Sequence, residues 1–374
     1  KPFVYAGKLR REVLKYIDEF RDKKIILQVS EQIKRISKKN ITLMEVCGGH
    51  TMAIHKFGLH QFLPGTIRLI SGPGCPVCVS SQEFIDKAIA LSRISDVIIT
   101  TYGDLVRVPG TSSSLEKEKA KGADIRMVYS TLESLEIAER NPGKKTIFLG
   151  IGFETTAPAS AVVVKEANKK KSGNFFMLSA HKIMPPAMET LVKDGINVDG
   201  FIAPGHVSAI TGSSIYTDLA EKHDKSVVIS GFEPVDILQS ILMLVTQIET
   251  SNPKVEIQYS RVVKQQGNLL AQKLMHEVFE LSDDEWRGIG WIKNSGLKLR
   301  KKFSNFDANE HFPIKKIRSV SPKGCICGEI LKGLKNPLDC KLFAKKCTPV
   351  NPVGACMVSA EGTCGVFYRH NVYD

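Results

Sequence analysis

A chain of 374 residues with 43% hydrophobic and 24% charged residues has the composition of a globular protein of two or three domains. Its formal net charge of +13 invites a nucleic-acid reading. However, the lysines are dispersed, the densest runs being Lys169–Lys171 and Lys298–Lys302, and no basic-aromatic interleaving accompanies them, so the excess reads as a solvated surface. From the N-terminus, Lys1–Phe20 mixes Lys, Arg, Asp and Glu through its apolar positions and has no signal-peptide core. No later apolar run approaches the roughly 20 residues that span a bilayer. A cytoplasmic protein that binds neither membrane nor nucleic acid is expected.

Short β-branched runs then recur with helical patterns between them. The first set is Ile41–Val46, Thr66–Ile70, Asp96–Thr101 and Ile125–Tyr129; the second is Thr146–Ile151, Phe175–Leu178, Phe201–Ala203 and Ser226–Ile229. Within each set the starts lie roughly 25 to 30 residues apart, the length of a strand-helix unit. Asn141-Pro142-Gly143 between the sets is a strong turn signal. After Pro234 the pattern changes to amphipathic helices, Val235–Ile248 and Leu269–Leu281, and then to a loop-rich, cysteine-rich region. The expected architecture is α/β: two similar Rossmann-like domains with mostly parallel sheets, followed by a helical cysteine-rich domain. The expected boundaries are 1–140, with an N-terminal helix, 141–234 and 235–374.

The unusual residues follow strands. Cys47-Gly48-Gly49-His50, Gly72-Pro73-Gly74-Cys75 and Tyr102-Gly103-Asp104 end strands of the first set. Gly152-Phe153-Glu154, Ala180-His181-Lys182, Pro204-Gly205-His206 and Gly231-Phe232-Glu233 end strands of the second. Open parallel sheets bind ligands outside the carboxyl ends of their strands, so these segments are expected to converge on two edges facing a cleft.

Nine cysteines in a chain of this kind are not a secreted disulfide framework, and metal binding or redox chemistry accounts for them better. Cys75-Pro76-Val77-Cys78 has the spacing of a dithiol couple or half a zinc site, and no second ligand pair lies nearby, which favours redox use. Ser80-Ser81-Gln82-Glu83 caps the next helix, so Cys78 is expected near a helix N-terminus that favours its thiolate. Cys47 precedes a helix expected from Thr51, and its two glycines allow close approach of a ligand. With His50 as ligand, proton donor or orienter, it makes a soft site for iron.

The segments Cys47-Gly48-Gly49-His50-Thr51, Gly72-Pro73-Gly74-Cys75-Pro76-Val77-Cys78 and Gly152-Phe153-Glu154-Thr155-Thr156 resemble the signatures of the HypD family over nearly the whole chain. The resemblance implies a redox-active scaffold, rather than a conventional turnover enzyme. On it the Fe(CN)2CO group of nickel-iron hydrogenase would be assembled as cargo, with iron bound through Cys47 together with a small HypC-like chaperone and cyanide delivered by a HypE-like donor. It also implies a 4Fe-4S cluster and an electron relay to Cys75 and Cys78. An iron-sulfur thiol-disulfide reductase is the alternative, although it would have no need for Cys47-Gly48-Gly49-His50.

Six cysteines crowd the C-terminal region: Cys325, Cys327, Cys340, Cys347, Cys356 and Cys364. Spacing alone does not select four cluster ligands from six, and a structural zinc module would carry paired CxxC knuckles that are absent here. The family pattern leaves gaps of 14, 6 and 16 residues, which Cys325, Cys340, Cys347 and Cys364 reproduce. Cys327 and Cys356 are left over, as an accessory disulfide or spare thiols. Glu154 and His206 are candidates for proton handling or partner contact. His181 and Glu233 read as surface or internally satisfied residues.

Overall fold

The computed structural model describes residues 15, 17–314 and 317–370, so most of Lys1–Phe20 lies outside the described residues. The strands are β1 (Ile41–Glu45), β2 (Ile67–Ser71), β3 (Val97–Thr101), β4 (Asp124–Met127), β5 (Lys145–Gly152), β6 (Phe175–Lys182), β7 (Gly200–Pro204), β8 (Ser226–Ser230), β9 (Val255–Ile257), β10 (Phe279–Trp286) and β11 (Gly290–Leu299). They form one sheet in the order β2-β1-β7-β8-β9, parallel throughout. The other sheet runs β10-β11-β6-β5-β3-β4, parallel except for the β10–β11 hairpin and its junction with β6.

All eight expected strands are present within a few residues of their expected ends, in an α/β fold with two mostly parallel sheets. Their grouping differs from chain order. β1 and β2 pair with β7 and β8, while β3 and β4 pair with β5 and β6, so each sheet draws strands from both sides of Asn141-Pro142-Gly143. Central runs such as Val97–Thr101 and Ser226–Ser230 are buried along their whole length and carry no mark of their partner.

Two further elements differ from expectation. The helix expected to reach Leu281 ends at Val278; Phe279 is already extended and pairs with Leu299 as β10 begins. Phe279, Leu297 and Leu299 are all buried in one cluster, and that packing overrides the helical pattern. In addition, the cysteine-bearing segment after Lys301 contains only short helical pieces, the longest being Thr363–His370. The long helices Pro234–Glu249 and Leu269–Val278 precede it. No helix among the described residues is long and apolar enough to cross a membrane.

Alternation along the strands sorts the core into three layers. Ile41 and Leu43 of β1, with Ile202 and Val228, face the helices Lys23–Ile36, Gly48–Lys56 and Pro234–Glu249. Ile98, Phe148, Phe175 and Met177 of the other sheet face Thr131–Arg140, Ala157–Lys169 and Leu269–Val278. The opposite faces, including Met44, Ile99, Leu149, Phe176 and Phe201, share one central core. Each such side chain contributes about 1.5–3 kcal/mol on burial. Cys75, Cys78, Cys327, Cys347, Cys356 and Cys364 belong to this central core, so the redox-capable sulfurs sit between the two sheets.

Candidate functional site

The carboxyl edge of the first sheet assembles one part of the site. Cys47 is the N-cap of Gly48–Lys56, in extended conformation (φ −146°, ψ 124°), and the helix begins three residues earlier than the expected Thr51. The Gly-Pro-Gly turn after β2 lies directly on it: the Gly48 amide donates to the Gly74 carbonyl at 3.1 Å. A β-carbon on Gly74 would come within 2.3 Å of the Cys47 nitrogen, so only glycine allows this approach. Gly48 is equally confined, because a β-carbon there would lie 2.4 Å from that of Glu361. Cys47 is half-buried, and burial beside Glu361 pushes its thiol up to about 12, so without a metal it is held as the neutral thiol.

His50 is fully buried, and its Nε2 faces the carbonyls of Gly231 at 3.0 Å and Ser230 at 3.3 Å. Nε2 therefore carries the proton and Nδ1 has no partner among the described residues, in a neutral ring whose pKa burial lowers to about 4. Phe232 lies between His50 and His206, stacked at 4.7 Å and 4.1 Å. The ends of β1, β7 and β8 thus bring Cys47, His50 and His206 together around one aromatic ring. Phe232 carries no chemical signal in the sequence beyond its place in a strand-end segment.

The edge of the second sheet supplies Glu154. Its carboxyl is buried, accepting the Met184 amide at 3.0 Å through Oε1, and Oε2 has no partner among the described residues. Burial raises its pKa to about 7. Its neighbour Phe153 is buried in the same central core as Val207 and Tyr216, which follow β7 of the first sheet. Because the folded pKa lies above the usual 4.5, the proton is bound more tightly in the folded chain, and stability falls as pH rises from about 4.5 through 7. Glu154→Gln, which keeps the acceptor for Met184, is expected to gain about 2–3 kcal/mol at pH 8. Thermal melts of the two chains should converge below about pH 5; equal melts at pH 8 would contradict the assignment.

His181 and Glu233 are not part of this group. Ala180, His181 and Lys182 are the last residues of β6 rather than the loop behind it. The His181 ring is buried against Ser160 Oγ at 2.9 Å and the edge of Phe279. Glu233 is held in a two-pronged contact by Arg21, at 2.5 and 2.8 Å. Both have structural partners.

Cys75 and Cys78 are placed differently from their sequence expectation. Cys75 is the N-cap of Pro76–Val79, with its Sγ accepting the Cys78 amide at 3.3 Å. Cys78 is fully buried, and desolvation pushes its thiol well above the usual range. The next helix is capped by Ser81, which accepts the Phe84 amide at 3.1 Å, so the thiolate-favouring position expected for Cys78 is overridden by burial. The short helix Ala355–Val358, which carries Cys356, packs on Pro76–Val79, which carries Cys78. Cys356 in turn lies 2.8 Å, sulfur to sulfur, from Cys327, which adjoins Cys325. One line of thiols thus runs from the CxxC loop, which abuts Cys47, to the C-terminal cysteines.

Cys325, Cys340, Cys347 and Cys364 come from separate segments and line a single small cavity with Cys327 and Cys356. Apolar groups such as Ile330, Phe343 and Met357 complete it. A β-carbon on Gly354 would lie 2.7 Å from Cys325 Sγ, and the Val353 amide donates to Cys347 Sγ at 3.3 Å, a contact that favours a thiolate. Six thiols thus converge on one small, largely apolar space, and four thiolates from such a set are the donors that an iron-sulfur cluster takes. Among the described residues, no group of three or more His, Cys, Asp or Glu is arranged around a single metal ion.

Comparison with known proteins gives consistent matches. Residues 23–371 match the family model HypD, described as the hydrogenase formation hypA family. The chain is 47% identical over 368 residues to hydrogenase maturation factor HypD2 of Bradyrhizobium diazoefficiens, covering 96% of this chain and 97% of that one. It is 43% identical over 368 residues to hydrogenase maturation factor HypD of Cupriavidus necator, covering 96% and 97%. To the protein of the same name from Escherichia coli it is 40% identical over 366 residues, covering 96% and 98%.

Proposed function

Since the chain belongs to the HypD family and is a hydrogenase maturation factor, we propose that it is the cytoplasmic, redox-active scaffold on which the Fe(CN)2CO group of nickel-iron hydrogenase is assembled. Cys47 supplies one thiolate to the iron, and a small HypC-like chaperone supplies another. A HypE-like donor brings the cyanide. His50, held by its Nε2 proton on the Gly231 carbonyl, fixes the start of the helix that Cys47 caps. Glu154, with a pKa near 7, can hold or release a proton at the facing edge.

The observation that carries this reading is the line of thiols. Cys325, Cys340, Cys347 and Cys364 would hold a 4Fe-4S cluster, which when bound supplies single electrons. The protein's own part is thiol-disulfide exchange. Cys356, as thiolate, attacks Cys78 of an oxidised Cys75–Cys78 pair, and Cys75 departs as thiolate. Cys327 then displaces Cys78 and closes a Cys327–Cys356 disulfide, leaving both CxxC cysteines reduced and passing two protons to them. The 2.8 Å approach of Cys327 to Cys356 supports the second step. The packing of the helix that carries Cys356 on the one that carries Cys78 supports the first.

A thiol-disulfide reductase would use the same line of thiols but would leave Cys47 idle. The test is infrared spectroscopy of the anaerobically isolated complex with the small chaperone. Bands of iron-bound cyanide and carbon monoxide are expected; their absence from an iron-loaded complex would favour the reductase.

A further inference from the structure

Arg287 sits in the turn of the β10–β11 hairpin, at a position to which the assembly reading gives no role. Its side chain is only 8% exposed. Nε donates to the Ser80 carbonyl at 2.7 Å and Nη1 to Gln82 Oε1 at 2.6 Å, both neutral acceptors just beyond Cys78. Nη2 is buried with no partner among the described residues. Glu285 feels the charge of Arg287 but forms no ion pair with it, and Glu329 only lines the same cavity. This is a buried, permanently charged guanidinium lacking a carboxylate, an arrangement costly enough that a missing negative partner is implied.

The surroundings indicate which partner. Arg287 lines a cavity of about 360 Å³ together with Cys325, Cys327, Gly328 and Lys332. That shared lining sets the guanidinium beside the segment that carries Cys325 and Cys327. Gly288, directly after it, packs on Gly328: a β-carbon at Gly288 would lie 2.2 Å from the Gly328 α-carbon. The hairpin turn therefore packs directly on the segment that carries Cys325 and Cys327, and the bonds to Ser80 and Gln82 hold the guanidinium in place beside it.

We propose that Arg287 is the built-in counter-charge of the cluster site, a fixed cation that lowers the free energy of the four-cysteine cluster most in its reduced, more negative form. The proposal rests on the cluster reading above. A cluster held by four thiolates is net negative, and each added electron makes it more so. A cation in a low-dielectric setting then stabilises the reduced form more than the oxidised one, which raises the reduction potential. Through its bonds to Ser80 and Gln82, the same side chain ties the CxxC segment to the cluster segment.

Anaerobically prepared wild type, Arg287→Gln and Arg287→Lys test this by potentiometric titration followed by electron paramagnetic resonance, with iron and sulfide assayed on each. In Arg287→Gln the ratio of reduced to oxidised cluster at a fixed potential is expected to fall about tenfold, a drop of about 59 mV for a one-electron couple. Arg287→Lys, which keeps the charge and loses the fork, should remain close to wild type. If Arg287→Gln will not hold a cluster while Arg287→Lys holds one of normal potential, the requirement for charge is again supported. A loaded Arg287→Gln with the wild-type potential overturns the proposal. So does loss of the cluster from both variants, which would make the guanidinium only a hydrogen-bonded strut. A wild-type chain that binds zinc and no iron would overturn the cluster reading itself, a result distinct from either.

Discussion

Cys47→Ser is expected to abolish the infrared bands of iron-bound cyanide and carbon monoxide in the complex with the small chaperone, while the fold and the 4Fe-4S absorption persist. Serine is nearly isosteric and can occupy the same extended N-cap position, so the contacts of Gly74, Gly48 and Glu361 with this segment are kept. The loss is chemical. A thiolate is a strong, soft donor suited to low-spin iron with strong-field ligands, and a hydroxyl is not. The buried surroundings sharpen the contrast, because they already hold the thiol at about 12 and would make an alkoxide less accessible still. His50→Ala should weaken the same bands less completely, since His50 acts through the position of the helix that Cys47 caps. Bands of full intensity in Cys47→Ser would place the iron elsewhere, and the reductase reading would then be the better account.

The C-terminal cysteines should separate into two classes when replaced singly. Cys325→Ala, Cys340→Ala, Cys347→Ala or Cys364→Ala should remove most of the about four irons and their sulfide and lower the melting temperature, because a cuboidal cluster needs every thiolate. Cys327→Ala and Cys356→Ala should retain the brown absorption. They should, however, leave the Cys75–Cys78 disulfide unreduced when electrons are supplied, because the sulfurs that lie 2.8 Å apart can no longer exchange. Iron content and differential alkylation of the CxxC peptide report the two effects independently. Loss of the cluster from Cys327→Ala together with retention in Cys325→Ala would reverse the assignment.

Much of the site could be read from the chain because its residues follow strands. The expectation that Cys47, Cys75, Glu154 and His206 sit at carboxyl ends of parallel strands needed only the local pattern of β-branched runs broken by glycine. What needed the fold was every relation between distant segments. Nothing near Cys356 signals that Cys78 and Cys327 adjoin it, and Arg287 resembles any hairpin-turn arginine until its unpartnered nitrogen is seen. The expected thiolate at Cys78 misled because capping is visible in sequence whereas complete burial is not. Leu269–Leu281 was legible only in part: its helical periodicity is real, but pairing of Phe279 with Leu299 decides where the helix stops.

The interleaving of the two sheets has a consequence for synthesis. The chain leaves the first sheet after β2, builds β3 to β6 in the second, returns for β7 to β9, and crosses back for β10 and β11. As the polypeptide emerges from the ribosome, β1 can pair with β2 at once, but its other side is unsatisfied until Gly200–Pro204 has been made. For that interval the nascent chain displays an apolar strand with an open hydrogen-bonding edge, the kind of surface that recruits unwanted neighbours. Such long-range closure also slows folding, since distant segments must meet before their contacts contribute. Fragments cut near Asn141 would likewise separate β1 from the strand that completes it and leave that edge open for good.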